Sequence, residues 1–188
     1  MKNLKFLPIG IVALFISSCS SDDNSSAPVN EEEVITTVKV TLTPQNGGTP
    51  IVLQSRDLDG DGPNAPVITT SANLAANTVY NGSLDLLNEI ATPAESITSE
   101  IIEEALDHQF FFSATNNIGT TAYAAPFDGN SQPIGVNFTF TTTNAANGNL
   151  TVVLRHEPNK SADGVASGDI TNAGGETDIQ VTFPVVVE

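Results

Sequence analysis

Carboxylates at alternate positions of a loop closed by glycine are the first residues here that could do chemistry. Asp57-Leu58-Asp59-Gly60-Asp61-Gly62 puts three of them at positions 1, 3 and 5, with glycine at 6. Calcium takes hard oxygen ligands converging from a tightly folded loop, and this spacing supplies three. Asp57, Asp59 and Asp61 are therefore candidate Ca2+ ligands. Position 12 is Ile68 rather than glutamate, so a closing carboxylate must come from elsewhere. Asp and Gly also serve hairpin loops through turn chemistry alone, and both readings stand. His108 and His156 are the two histidines, and paired imidazoles hold zinc, copper or haem iron. Each is in phase with an apolar strand face, His108 with Phe110 and Phe112, His156 with Val152 and Leu154. That phase suits histidines at the edge of a core. Gly174-Gly175-Glu176-Thr177-Asp178 adds carboxylates that read as a turn. No Gly-x-Ser-x-Gly motif occurs. Paired carboxylates are the machinery of glycoside hydrolysis, but the chain lacks tryptophan, the side chain that sugar sites commonly expose.

The elements that must position these groups have period two almost throughout. Val34, Thr36, Val38, Val40 and Leu42 alternate with Ile35, Thr37, Lys39, Thr41 and Thr43, the pattern of a half-buried strand. Further strands are predicted at 51–56, 67–70, 80–86, 108–112, 136–140, 150–154 and 179–183. Asn116 to Pro133 and Glu157 to Gly175 read as long loops, and Asn147-Gly148-Asn149 as a tight turn. Thr92-Pro93-Ala94-Glu95 has capping-box spacing, and Ile97, Ile101 and Ala105 fall four apart. This predicts one helix over Pro93 to Leu106. The fold class expected is all-β, an antiparallel Ig-like β-sandwich of about seven to eight strands with one short helix. Pro184 cannot donate to a ladder, so the last strand should lie at an edge or bulge.

Reversing direction at each link puts Asp57 to Gly62, the helix and His108 at one end, and His156 at the other. The histidines would then stand about 17–20 Å apart, too far for one ion. The same count gathers Asp57, Asp59 and Asp61 near Glu103, Glu104 and Asp107, from which a closing calcium ligand could come.

Cys19 is the sole cysteine. Lys2 and Lys5 precede an apolar run from Leu4 to Ile16, which is shorter than the about 20 residues of a membrane span. This is the layout of a secretory signal. Ile16-Ser17-Ser18-Cys19 resembles the lipobox of bacterial lipoproteins, with Ile in place of the usual Leu. The resemblance implies cleavage before Cys19 and lipid on its sulfur and amine. Ser20-Ser21-Asp22-Asp23-Asn24 is similar to the acidic export signal of Bacteroidetes-type surface lipoproteins, which implies an outer-membrane protein facing the exterior. The division expected is residues 1–18 signal peptide, 19–33 lipidated tether without fixed structure, and 34–188 sandwich domain.

Removal of residues 1–18 leaves four basic side chains against 22 acidic ones, a net charge of −18. Such a chain repels nucleic acid. With no second cysteine, no intramolecular disulfide can form. Glu31-Glu32-Glu33, Arg56-Asp57-Leu58-Asp59-Gly60-Asp61-Gly62, Asp107-His108-Gln109-Phe110-Phe111-Phe112, Leu154-Arg155-His156-Glu157-Pro158 and Gly174-Gly175-Glu176-Thr177-Asp178 together resemble a family of small Bacteroidetes-type surface lipoproteins. Its members are often assigned a type 1 periplasmic binding fold. That fold is a pair of parallel α/β lobes, whereas the strand pattern here points to an antiparallel sandwich. The functional expectation is a monomeric, non-enzymatic module that captures a ligand or assists an outer-membrane transporter. The alternatives are a surface hydrolase acting on glycans through carboxylates, or a structural or adhesion module. Replacing Cys19 by alanine should release the protein from the membrane or leave an unprocessed precursor. A Cys19→Ala variant that still fractionates with the outer membrane would refute the anchor.

Overall fold

Successive strand residues point to opposite faces, so a strand with one face on a core must alternate apolar and polar side chains. The computed structural model describes residues 33–60 and 62–188. The signal peptide, Cys19, nearly all of the tether, and Asp61 lie outside the described residues. In β1 (Thr37–Pro44) Val38, Val40 and Leu42 are buried, while Lys39 points away and meets Asp85 at 3.2 Å. This strand is central in the larger sheet. β2 (Ile51–Arg56) pairs with one side of it and β4 (Val79–Asn88) with the other, both antiparallel. β3 (Val67–Thr70) lies beyond β2, and β8 (Asn137–Thr142) and β7 (Gly119–Ala124) lie beyond β4, giving the order β3-β2-β1-β4-β8-β7. A two-residue strand, β5 (Glu95–Ser96), pairs with the end of β4. The second sheet has the order β10-β9-β6, from β6 (His108–Ala114), β9 (Ala146–His156) and β10 (Glu176–Val187).

The protein is therefore an all-β sandwich of ten described strands and one α-helix. Its core lies between the sheets. Val40, Leu53, Leu86, Phe138 and Phe140 from one face meet Phe110, Leu150, Leu154, Phe183 and Val185 from the other. Leu74 joins the sheets at one margin: its N–H donates to Val186 O (2.8 Å) and its carbonyl accepts from the Glu188 N–H (2.9 Å). β10 is an edge strand, as Pro184 requires, and it carries a separate irregularity between Thr177 and Ile179.

Three expectations need correction. Residues 116–133 are not all loop, because β7 runs through them. Its residues are mostly half-exposed at the sheet edge, so no alternating large apolar side chains announce it. Asn147-Gly148-Asn149 is not a turn but the start of β9, paired with Pro184, Val185 and Val186. Gly148 is there for close approach: a Cβ would sit 2.6 Å from Thr115 O and 2.7 Å from Ile118 Cγ2. The helix, α1 (Ile97–Glu103), is shorter than predicted. Its N-cap is Ser96, whose Oγ accepts from the Ser99 N–H, and the segment before it is taken by pairing with β4. Ile97 and Ile101 are its buried stripe, and Glu100 and Glu103 are exposed.

β6 departs from period two for a physical reason. His108, Gln109, Phe110 and Phe111 are all buried. Phe110 faces the main core, and Phe111 packs under the Glu157 to Gly175 segment with Val153, Val165 and Ala173. That segment covers the outer face of the small sheet. Gln109 fixes it, its Nε2 donating to Val165 O (2.9 Å) and to the Tyr123 hydroxyl (3.0 Å).

Gly82 sits opposite Phe138 on the neighbouring strand. A Cβ there would stand 2.5–2.7 Å from three atoms of the phenyl ring. Gly82→Ala should therefore destabilise the protein by about 1–3 kcal/mol through overpacking, read as a lower urea midpoint at unchanged slope.

Candidate metal centre

β6 begins at His108 and β9 ends at His156, and the two residues are direct cross-strand partners. Their rings stack with centroids 4.7 Å apart and planes 7° from parallel. The expectation of histidines at opposite ends is thus overturned. The strand missed at 119–124 adds one reversal between β6 and β9. The two become antiparallel neighbours and the histidines meet.

Three carboxylates surround this pair. Glu104 is the C-cap of α1, four residues before His108. Glu33 comes from the segment leading into β1, and Asp178 from the irregular start of β10. His108 Nδ1 lies 3.2 Å from the Glu104 carbonyl. A carbonyl only accepts, so Nδ1 carries a proton and donates, and Nε2 is the ring's other face. Nε2 points at carboxylate oxygens, 3.8 Å from Glu33 Oε1 and 3.9 Å from Asp178 Oδ2. The His108 side chain is 1 % exposed. Ligand atoms of Glu33, Glu104 and His108 all lie within 4.8 Å of one another. The Glu33 carboxyl is pushed up to about 7, first by burial and then by the negative charges of Asp178, Glu100 and Glu104. Its Oε2 is buried without a hydrogen-bond partner among the described residues.

A buried ion pair holds the neighbouring backbone. The Lys160 ammonium donates to Ala105 O (2.6 Å), Asp128 Oδ2 (3.0 Å) and Pro133 O (3.1 Å). Asp128 Oδ1 accepts from the N–H groups of Asn130 and Gln132, each at 2.8 Å. Burial acts to raise the Asp128 carboxyl, but the Gln132 N–H, the Lys160 ammonium and the Asn130 N–H together hold it below the usual range. Burial lowers Lys160, and Asp128 opposes the shift. Because Ala105 follows Glu104 in the chain, this anchor fixes where the end of α1 presents its carboxylate.

The Asp57–Gly62 loop is tied to the lead into β1, the Asp57 N–H donating to Thr36 O at 2.7 Å. Asp57 Oδ1 accepts from the N–H groups of Asp59 (3.2 Å) and Gly60 (3.1 Å). Asp59 Oδ2 accepts from Asn64 Nδ2 at 2.7 Å, which helps hold the Asp59 carboxyl below its ordinary range. A Cβ at Gly62 would overlap the Asp59 carboxylate. These two side chains organise their own loop. Asp57 and Asp59 are not among the described ligand atoms that converge on His108, which are those of Glu33 and Glu104. Glu104 and His108 could have been found from their four-residue spacing beside a helix end, a spacing that brings ligands together. Glu33 carries no such signal, because it reads as tether.

No family model, no curated protein and no solved structure matches the chain. The site is therefore read from its own geometry.

Removing one partner of a buried ion pair strands the other, so Lys160→Ala should cost about 3–5 kcal/mol in urea denaturation at neutral pH. Asp128 has its folded pKa depressed. Its contribution is present above the ordinary carboxylate range and lost as pH falls through the folded value. Asp128→Asn should accordingly flatten the acid limb of the stability profile. An unchanged acid limb would show that the pair contributes nothing.

Proposed function

We propose that this chain is a lipid-anchored module of the outer membrane, held through Cys19, that captures a small ligand or presents one to a transporter. The observation that carries the reading is a cleft of about 500 Å³ at the open margin between the sheets. Ile35, Val38, Ile68, Ile179 and Val181 give it an apolar lining, and Asp57 stands among its polar groups. A concave, mainly apolar surface with a few placed polar groups is what small-ligand sites offer. Ile68 is 42 % exposed, an apolar side chain that an occupant would cover.

The Asp57 loop contributes to this cleft through Asp57 and Gly60. An adjoining hollow of about 290 Å³ is lined by Arg56, Asp57, Leu58, Asp59 and Asn64 among others. Arg56 is held there by Glu89, which accepts from Nη2 at 2.5 Å and from Nε at 3.0 Å. The ligand class that suits the lining is amphipathic, with an apolar body against Ile68 and Val181.

The test is co-purification of the native protein from mild detergent, followed by mass spectrometry under non-denaturing conditions. A stoichiometric barrel protein or a retained small molecule supports the reading. Ile68→Glu, which puts a charge in the lining, should abolish retention without lowering the melting temperature by more than a few degrees. Turnover of a surface glycan with neither partner nor ligand retained would instead favour a hydrolase.

A further inference from the structure

We propose that Glu33, Glu104 and His108 form a divalent-metal site of the kind zinc occupies, with one coordination position left for water or for Asp178. Three independent features of the geometry converge on it. The donors come from three separate segments: the lead into β1, the end of α1 and the start of β6. Their ligand atoms already lie within 4.8 Å of one another. Zinc bonds of about 2.0–2.1 Å hold ligand atoms roughly 3.3 Å apart, so two glutamate side chains must close by about an ångström.

The second feature is the state of the imidazole. In metal sites a ligating histidine commonly donates its other ring N–H to a carbonyl or carboxylate, which fixes the tautomer and aims the free nitrogen. His108 does this to the Glu104 carbonyl. Its ring is also clamped flat by His156. The nitrogen so aimed makes no hydrogen bond among the described residues, and belongs to a side chain 1 % exposed. Oxygens of Glu33 and Asp178 face it at 3.8 and 3.9 Å.

The third is the orphaned oxygen. Glu33 Oε2 is buried with no hydrogen-bond partner among the described residues. Buried carboxylate oxygens are hydrogen-bonded or coordinate a cation, and nearby Glu100, Glu104 and Asp178 add negative charge. A bound dication answers all of these at once. The donor set decides its class. One imidazole with carboxylates suits zinc or a similar first-row ion, whereas calcium takes oxygen ligands alone and copper(I) prefers sulfur.

The experiment uses the full-length protein purified in mild detergent, incubated with zinc, desalted and measured by elemental mass spectrometry. Competition with a chromophoric chelator gives the affinity. One zinc per chain is expected, together with a raised melting temperature reversed by EDTA. Glu33→Gln and Glu104→Gln should each weaken binding about tenfold or more. Glu104 is exposed and Glu33 is half-buried outside any strand, so these variants separate ligand loss from unfolding where His108→Gln, at a fully buried ring, does not. Asp59→Ala should retain full binding. A folded protein that retains no zinc overturns the site. So does zinc held equally by both glutamate variants, or lost only in Asp59→Ala. None of these readouts involves the cleft between the sheets, so the site and the ligand-capture reading can fail separately.

Discussion

One ammonium group does for this fold what a disulfide does for many small exported domains. Lys160 reaches into the interior and gives its three hydrogen atoms to the end of α1, to Asp128 and to the Pro133 carbonyl. Three segments far apart in sequence are thereby set against one another. Transfer of such a charge from water is costly, and only full satisfaction by hydrogen bonds offsets it. The geometry that satisfies it is correspondingly narrow. The covering segment over Phe111, the position of Glu104 and the setting of His108 follow from where this group sits.

Charge is scarce on the positive side, and the fold uses what it has internally. Lys39 is paired with Asp85, Arg56 with Glu89 and Lys160 with Asp128. Arg155 donates to the Thr177 hydroxyl at 2.6 Å. All four lysine and arginine side chains among the described residues are therefore engaged within the domain. Among the described residues no further lysine or arginine remains, so a crowded pair such as Glu33 and Glu104 is left to a proton or a cation for its compensation.

Most of the sandwich was legible in the residues, and the misses have physical causes. β1, β2 and β4 show clean alternation because one face of each looks at the core. β7 does not, since Gly119-Thr120-Thr121-Ala122-Tyr123-Ala124 closes the sheet with half-exposed side chains. That single omission reversed the direction of every later strand and separated two histidines that in fact touch. Gly148 was misread for a related reason. Asn-Gly is the commonest hairpin signal, yet a glycine is equally needed where a backbone carbonyl, here Thr115 O, comes too close for any side chain. The candidate site was partly legible: His108 was singled out by type and Glu104 as a carboxylate near it, but their four-residue spacing was passed over, and Glu33 joins them only through the path of the chain into β1.

The outer edge at β3 bears on how copies of this protein behave beside one another. Val67 and Ile68 are 64 % and 42 % exposed there, and the strand ends its sheet. An open edge is a template for strand addition by another chain. This one is four residues long, preceded by Pro66 and by a loop whose turns are locked by Asp57 and Asp59. It therefore offers roughly two outward N–H and two outward C=O groups. A neighbour docking there would gain too few hydrogen bonds to hold against the mutual repulsion of strongly acidic molecules. Brevity and charge thus guard against edge-to-edge assembly however closely copies are crowded.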